Sequence, residues 1–193
     1  MEKVKPVKNS HILLMKVGPY CGYSLKEIIK IKQGETKKCG KFFWGYGGVF
    51  CRPNVIHSFV AHAKHYKQKP LVLFTITQSS YQTPGKGKFT HFSLDKNKWL
   101  NLPEEVLLVG DKTKSHFAIT AKNLKSIKKS IDLGEYCTFS GMFPDPNKYL
   151  DKYFRYRVDK ACGFYLPKKS FSKKELIVGY SCELVEPYCV FIE

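Results

Sequence analysis

Apolar residues in this chain fall in short runs broken by glycine, proline and charged clusters, with helical spacing in a few places. Residues 11–17 (HILLMKV) form a nearly unbroken apolar run ended by Gly18-Pro19, which predicts a first strand. Ser24-Leu25-Lys26-Glu27 has the form of a capping box and opens an amphipathic helix to about residue 33, with Gly34 as its stop. Residues 41–46 read as a second strand. Asn54 is placed to cap a second helix reaching residue 66, and 71–77 read as a central strand buried on both faces. Further strands are predicted at 89–94, 106–109, 116–120 and 136–139, with 116–120 placed to pair with 106–109. Asp145-Pro146 sets a proline at the first position of a third helix, ending near Cys162-Gly163. Residues 176–183 and 188–192 predict a closing hairpin turned at Glu186-Pro187.

This order predicts an α+β fold: a mixed sheet of about six to nine strands with three helices, two early and one late. The 193 residues fit a single domain, with 1–10 as a basic, flexible N-terminal stretch. A hydrophobic fraction of 43% and an aromatic fraction of 15% describe a folded chain. No apolar run approaches the roughly 18 residues of a membrane span. The run at 12–15 is too short for a signal peptide. Seven cysteines without a C-x-x-C, and no N-x-[ST] site, point to free thiols in a reducing, cytoplasmic setting.

The net charge of +17 generates a field that attracts polyanions. Lysine accounts for 30 of the 33 basic residues, as an AT-rich genome would produce, and these lysines are spread along the chain. Tight clusters occur only at Lys37-Lys38, 122–129 and 168–174. Against that background Arg52, Arg155 and Arg157 stand out, because a guanidinium offers a planar fork that an ammonium does not.

The segment Phe42-Phe43-Trp44-Gly45-Tyr46-Gly47-Gly48-Val49-Phe50-Cys51-Arg52-Pro53 carries the candidate chemistry. Glycines let main-chain N–H groups approach a ligand, and a helix start behind them adds partial positive charge. Arg52 is then placed to pair with a phosphate, while Trp44 and Tyr46, on the strand face opposite Phe43, offer rings for stacking. The pattern is G-x-G-G rather than the dinucleotide G-x-G-x-x-G, and Val49 stands where a P-loop needs lysine. The competing reading is a tight turn packed by aromatics.

Other constellations are incomplete. His57, His62 and His65 share the second helix, but with Cys51 they match no standard zinc spacing, so no metal or cofactor is expected. His91-Phe92-Ser93 resembles one half of the paired H-x-[ST] motif of two-histidine phosphoesterases, and the sequence lacks the second half. Cys51 with His57 has the residue types of a nucleophile and base, without a neighbouring acid to orient the imidazole. The catalytic candidates are therefore His57, His91 and Cys51. Asp151, Arg155 and Asp159 form an i, i+4 ladder on the expected third helix, leaving Arg157 unmatched and aimed at a pocket.

These features lead to a non-enzymatic binding protein for a phosphate-bearing ligand, a nucleotide or nucleotide-derived signal. Its binding residues would be Trp44, Gly45, Tyr46, Gly47, Gly48, Arg52, His57 and Arg157, with Lys86 and Lys88 on a closing loop at 78–88. The alternatives are sequence-independent nucleic-acid binding by the lysine surface, a nucleotide-processing enzyme, and a small basic inhibitor, of the kind carried by mobile elements, docking on an acidic protein.

Overall fold

The computed structural model describes residues 2–4, 7–78, 86–113, 116–154, 159–167 and 174–193. The elements begin with strand β1 (Glu2–Lys3), strand β2 (His11–Val17) and helix α1 (Leu25–Cys39). Strand β3 (Phe42–Gly47), helix α2 (Pro53–His65) and strand β4 (Leu71–Ile76) follow. The middle of the chain holds short strands: β5 (Lys86–Lys88), β6 (His91–Ser93), β7 (Leu100–Asn101) and β8 (Val109–Asp111). Then come the long β9 (His116–Asp132), β10 (Tyr136–Ser140), β11 (Phe143–Tyr149) and the one-turn helix α3 (Leu150–Tyr153). Strands β12 (Lys160–Tyr165) and β13 (Glu175–Ile192) close the chain.

The fold is α+β, with a large mixed sheet ordered β1-β9-β13-β4-β2-β12-β10-β11. Strand β3 adds to the free edge of β9, β6 and β7 extend β13, and β5 pairs with β8 in a separate ribbon. Strands β2 and β4 run parallel in register from Ile12↔Leu71 to Val17↔Ile76, in the middle of the sheet. Their unbroken apolar sequence follows from burial on both faces. Leu13, Met15 and Val17 enter the core beneath α1 and α2, whereas Ile12 and Leu14 enter the opposite core with Tyr136, Leu150 and Phe154. A third core, around Phe43, Phe89, Leu108 and Ile192, lies under segment 89–108.

Four expectations are corrected. Helix α1 does not stop at Gly34 but runs on to Cys39 and ends at Gly40, whose φ of 73° is the left-handed conformation that favours glycine. Glu35 explains the extension, because its buried carboxylate anchors the next turn to the rest of the protein. The capping box at its start is present as expected, Ser24 and Glu27 bonding reciprocally.

The long late helix is replaced by β11, α3 and β12. Pro144 and Pro146 lie in β11, the last strand of the sheet path, where a missing N–H removes no bond from a further strand. The closing hairpin is instead one strand, β13, whose two halves pair with the same β9 from Glu175↔Asp132 to Ile192↔His116. Its register shifts between Leu184↔Ala121 and Cys189↔Ile119, so 185–188 bulge outward rather than reverse the chain. Strand 116–120 accordingly pairs with β13 and β3, not with 106–109. In the basic N-terminal stretch, Glu2 and Lys3 pair in parallel with Lys129 and Ser130, while residues 1, 5 and 6 lie outside the described residues.

Candidate functional site

The aromatic–glycine strand β3 has a partner on one edge only. It pairs with β9 from Phe42↔Ala121 to Gly47↔His116. Phe43 N–H donates instead to Glu35 Oε2 at 3.1 Å, away from β9. By the two-residue alternation of a strand, the N–H groups of Gly45 and Gly47 leave on that same side. At Gly47 the strand gives way to a loop in which Gly48 has φ 98° and Cys51 φ 55°.

Beside this edge lies a cavity of about 520 Å³, lined by Trp44, Gly45, Tyr46, Gly47 and Gly48. Tyr20, Tyr23 and His116 add rings to its wall, and Lys16, Lys32, Lys160, Asp111 and Asp159 add charge. The strand faces separate as the sequence predicts: Phe43 enters the third core, while Trp44 and Tyr46 share the main core and border the cavity. The Trp44 ring lies 4.6 Å from that of Phe74. The Tyr46 hydroxyl donates to the Cys51 carbonyl and sits 3.1 Å from Cys189 Sγ. Its burial pushes its pKa well up, so the phenol stays neutral and offers its ring rather than its oxygen.

Two ammonium groups in the wall are buried. The Lys32 side chain is 6% exposed and donates to Glu35 Oε1 at 2.7 Å and to the Leu107 carbonyl at 2.8 Å. Burial pulls the Lys32 pKa down, opposed by the Glu35 charge. Lys160 is 5% exposed and pairs with Asp159 Oδ1 at 2.6 Å, whereas Asp159 itself is 49% exposed. The Lys160 ammonium lies 5.5 Å from the Tyr46 ring centroid. It also stands 3.8 Å from the point a Cβ on Gly48 would occupy. On the other side of the loop, His116 Nε2–H donates to the Asp111 carbonyl at 2.6 Å and its ring rests on Phe89.

The other expected site residues lie elsewhere. Arg52 is exposed at the N-cap of α2, makes no side-chain cap bond and does not line the cavity. His57 Nε2–H is shared between the carbonyls of Pro187 at 3.0 Å and Cys189 at 2.9 Å, holding the β13 bulge. Cys51 is buried 3.9 Å from Cys162 Sγ rather than beside His57. His91 sits on β6, its Nδ1 3.0 Å from Thr90 Oγ1, and is absent from the cavity wall. The three catalytic candidates therefore do not converge. Lys88 is exposed on β5, opposite Val109 of the cavity wall, and the main chain of Lys86 pairs with Asp111. Residues 79–85 of the expected closing loop, and both Arg155 and Arg157, lie outside the described residues.

Sequence reasoning missed Lys32, Lys160, Asp111 and His116 as wall residues. Lysine is the default cation here, so nothing in the composition distinguishes a buried lysine from an exposed one. A faint signal exists for Lys32, whose i, i+3 partner Glu35 is one of only 16 acidic residues. No family model, no curated protein and no solved structure matches the chain.

Proposed function

We propose that this protein binds a phosphate-bearing small molecule, a nucleotide or a nucleotide-derived signal, in the cavity beside β3. The single observation that carries the reading is the meeting of the Gly47-Gly48 turn with the buried ammonium of Lys160 in a cavity walled by Trp44, Tyr46, Tyr20 and Tyr23. A volume of ≈ 520 Å³ is in the range of small-molecule sites. Main-chain N–H groups and an ammonium suit a phosphate, and aromatic walls suit a base. Asp159 is half exposed, so its carboxylate can turn to water and leave Lys160 to the ligand. Lys160 thus takes the part that the sequence gives to Arg52. Binding without turnover is the simpler form of the proposal, because His57, His91 and Cys51 are engaged outside the cavity.

Calorimetric titration with mono-, di- and cyclic nucleotides tests it. The expected result is a saturable heat for one ligand class, weakened at least tenfold by Lys160→Ala and little changed by Arg52→Ala. No heat at millimolar ligand, or a Lys160→Ala protein that binds as tightly as the unsubstituted chain, overturns the proposal.

A further inference from the structure

The cavity beside β3 has one end where charge collects and one that is nearly apolar. At the charged end Lys160 stands beside Gly48, and the Lys16 N–H donates to the Asp159 carbonyl at 2.7 Å. Asp111 belongs to this end too, because its carbonyl accepts from His116, which pairs with Gly47. At the other end Glu35 accepts from Phe43 N–H and holds Lys32. Five residues of nearly extended chain, about 16 Å, separate Phe43 from Gly48. Around Lys32 the wall is Ile28 and Ile31 of α1, with Trp44, Leu107 and Leu108, and Lys32 is the charged residue among them.

An ammonium group carries three N–H donors and no acceptor. Lys32 donates one to Glu35 Oε1 and one to the Leu107 carbonyl, and among the described residues it has no third acceptor. The remaining N–H is what Lys32, its side chain 6% exposed, has left to offer the cavity it lines. The Glu35 charge favours this ammonium form against the pull of burial. The same carboxylate already balances the Lys32 charge, so this end calls for a neutral acceptor rather than a second phosphate. A carbonyl oxygen on a flat ring answers that need, with Ile28, Ile31 and Trp44 as apolar walls for the ring. Guanine and hypoxanthine carry O6 next to N7, two acceptors that one N–H can share. Adenine carries an amino group in place of O6, and an amino group donates. Set against Lys32, it would leave two donors facing each other with no acceptor between them.

We infer that Lys32 selects a 6-oxopurine nucleotide, with guanine or hypoxanthine at the Lys32 end of the cavity and the phosphate at the Gly48–Lys160 end. This assignment rests on the phosphate-bearing ligand proposed for the cavity. Calorimetry of the unsubstituted protein with GMP, IMP, AMP and 2-aminopurine riboside monophosphate tests it. The last of these keeps the amino group of GMP and lacks its O6. The expected result is that GMP and IMP bind within about threefold of each other, and that the two ligands without O6 bind at least about tenfold more weakly. In Lys32→Met the GMP and AMP affinities should fall within about threefold of each other, whereas Lys160→Ala should weaken both and keep their ratio. A circular dichroism spectrum establishes that each variant is folded; if Lys32→Met is not, the four ligands on the unsubstituted protein decide alone. Equal affinity for all four, tighter binding of AMP than of GMP, tighter binding of UMP than of GMP, or a folded Lys32→Met that keeps the preference overturns the role of Lys32 and leaves the cavity as a nucleotide site. No heat with any nucleotide overturns both.

Discussion

His11 shows how a single residue can be set by its surroundings. It begins β2, and its Nδ1–H donates to the Asn9 carbonyl at 2.8 Å. With that tautomer, Nε2 accepts from His62 Nδ1 at 2.7 Å. The rings of Phe59 and Phe164 meet it edge-on. Burial, with His62 as a second cause, pushes the His11 pKa from 6.5 down to about 4. The unfolded chain therefore binds this proton more readily than the folded one, and folding stability falls as pH drops from about 6.5 towards 4. Urea midpoints at pH 7.0, 5.5 and 4.5 should decline in that order, with a shallower decline in His11→Gln. An equally steep decline in the variant would remove His11 as the cause. The sequence places His11 at the head of a strand but not beside a histidine 51 residues away.

Among the elements, α1 joins a legible start to an end that local sequence misplaces. Ser24 and Glu27 satisfy each other's orphan donors within one turn, so short-range sequence suffices to read the start. Gly34 looks like a stop because glycine weakens a helix. It does not act as one, because Glu35 beyond it is fastened to Phe43 and Leu107. A Cβ on Gly34 would meet nothing within 4 Å. Gly34→Ala should therefore stabilise the protein by about 0.5–1 kcal/mol, seen as a raised denaturant midpoint with an unchanged m-value. A lowered midpoint would show that Gly34 is required where it stands. Strand β13 shows the same limit from the other side. A proline flanked by two apolar runs reads as a turn, but both runs find the same neighbour, β9, and the proline falls in a bulge held by His57.

At the scale of the whole molecule, Glu35 is the point where helix, strand and loop meet. Its carboxylate accepts from Lys32 Nζ on α1, Phe43 N–H on β3 and Leu107 N–H in segment 102–108, and Lys32 and Leu107 line the cavity. Glu35→Ala would leave a buried ammonium and two main-chain donors without their acceptor. The expected cost is about 3–5 kcal/mol in chemical denaturation, the usual result of breaking a buried ion pair from one side. A Glu35→Ala protein within 1 kcal/mol of the unsubstituted chain would refute this central role. No described helix is long and apolar enough to cross a membrane.

Local sequence alone determined the parts of this protein whose partners are a few residues away, or whose burial shows as an unbroken apolar run. Those are the start of α1, the span of α2, the central strands β2 and β4, the split of Phe43 from Trp44 and Tyr46, and the α+β class itself. Tertiary structure alone decided where α1 ends, that 145–149 lie on a sheet edge, and that β13 continues past Pro187. It also decided which of thirty similar lysines are buried, because an ammonium group's surroundings are set by elements far along the chain. Only that long-range packing brings Lys160 to Gly48 and Gln33 to the Leu124 carbonyl.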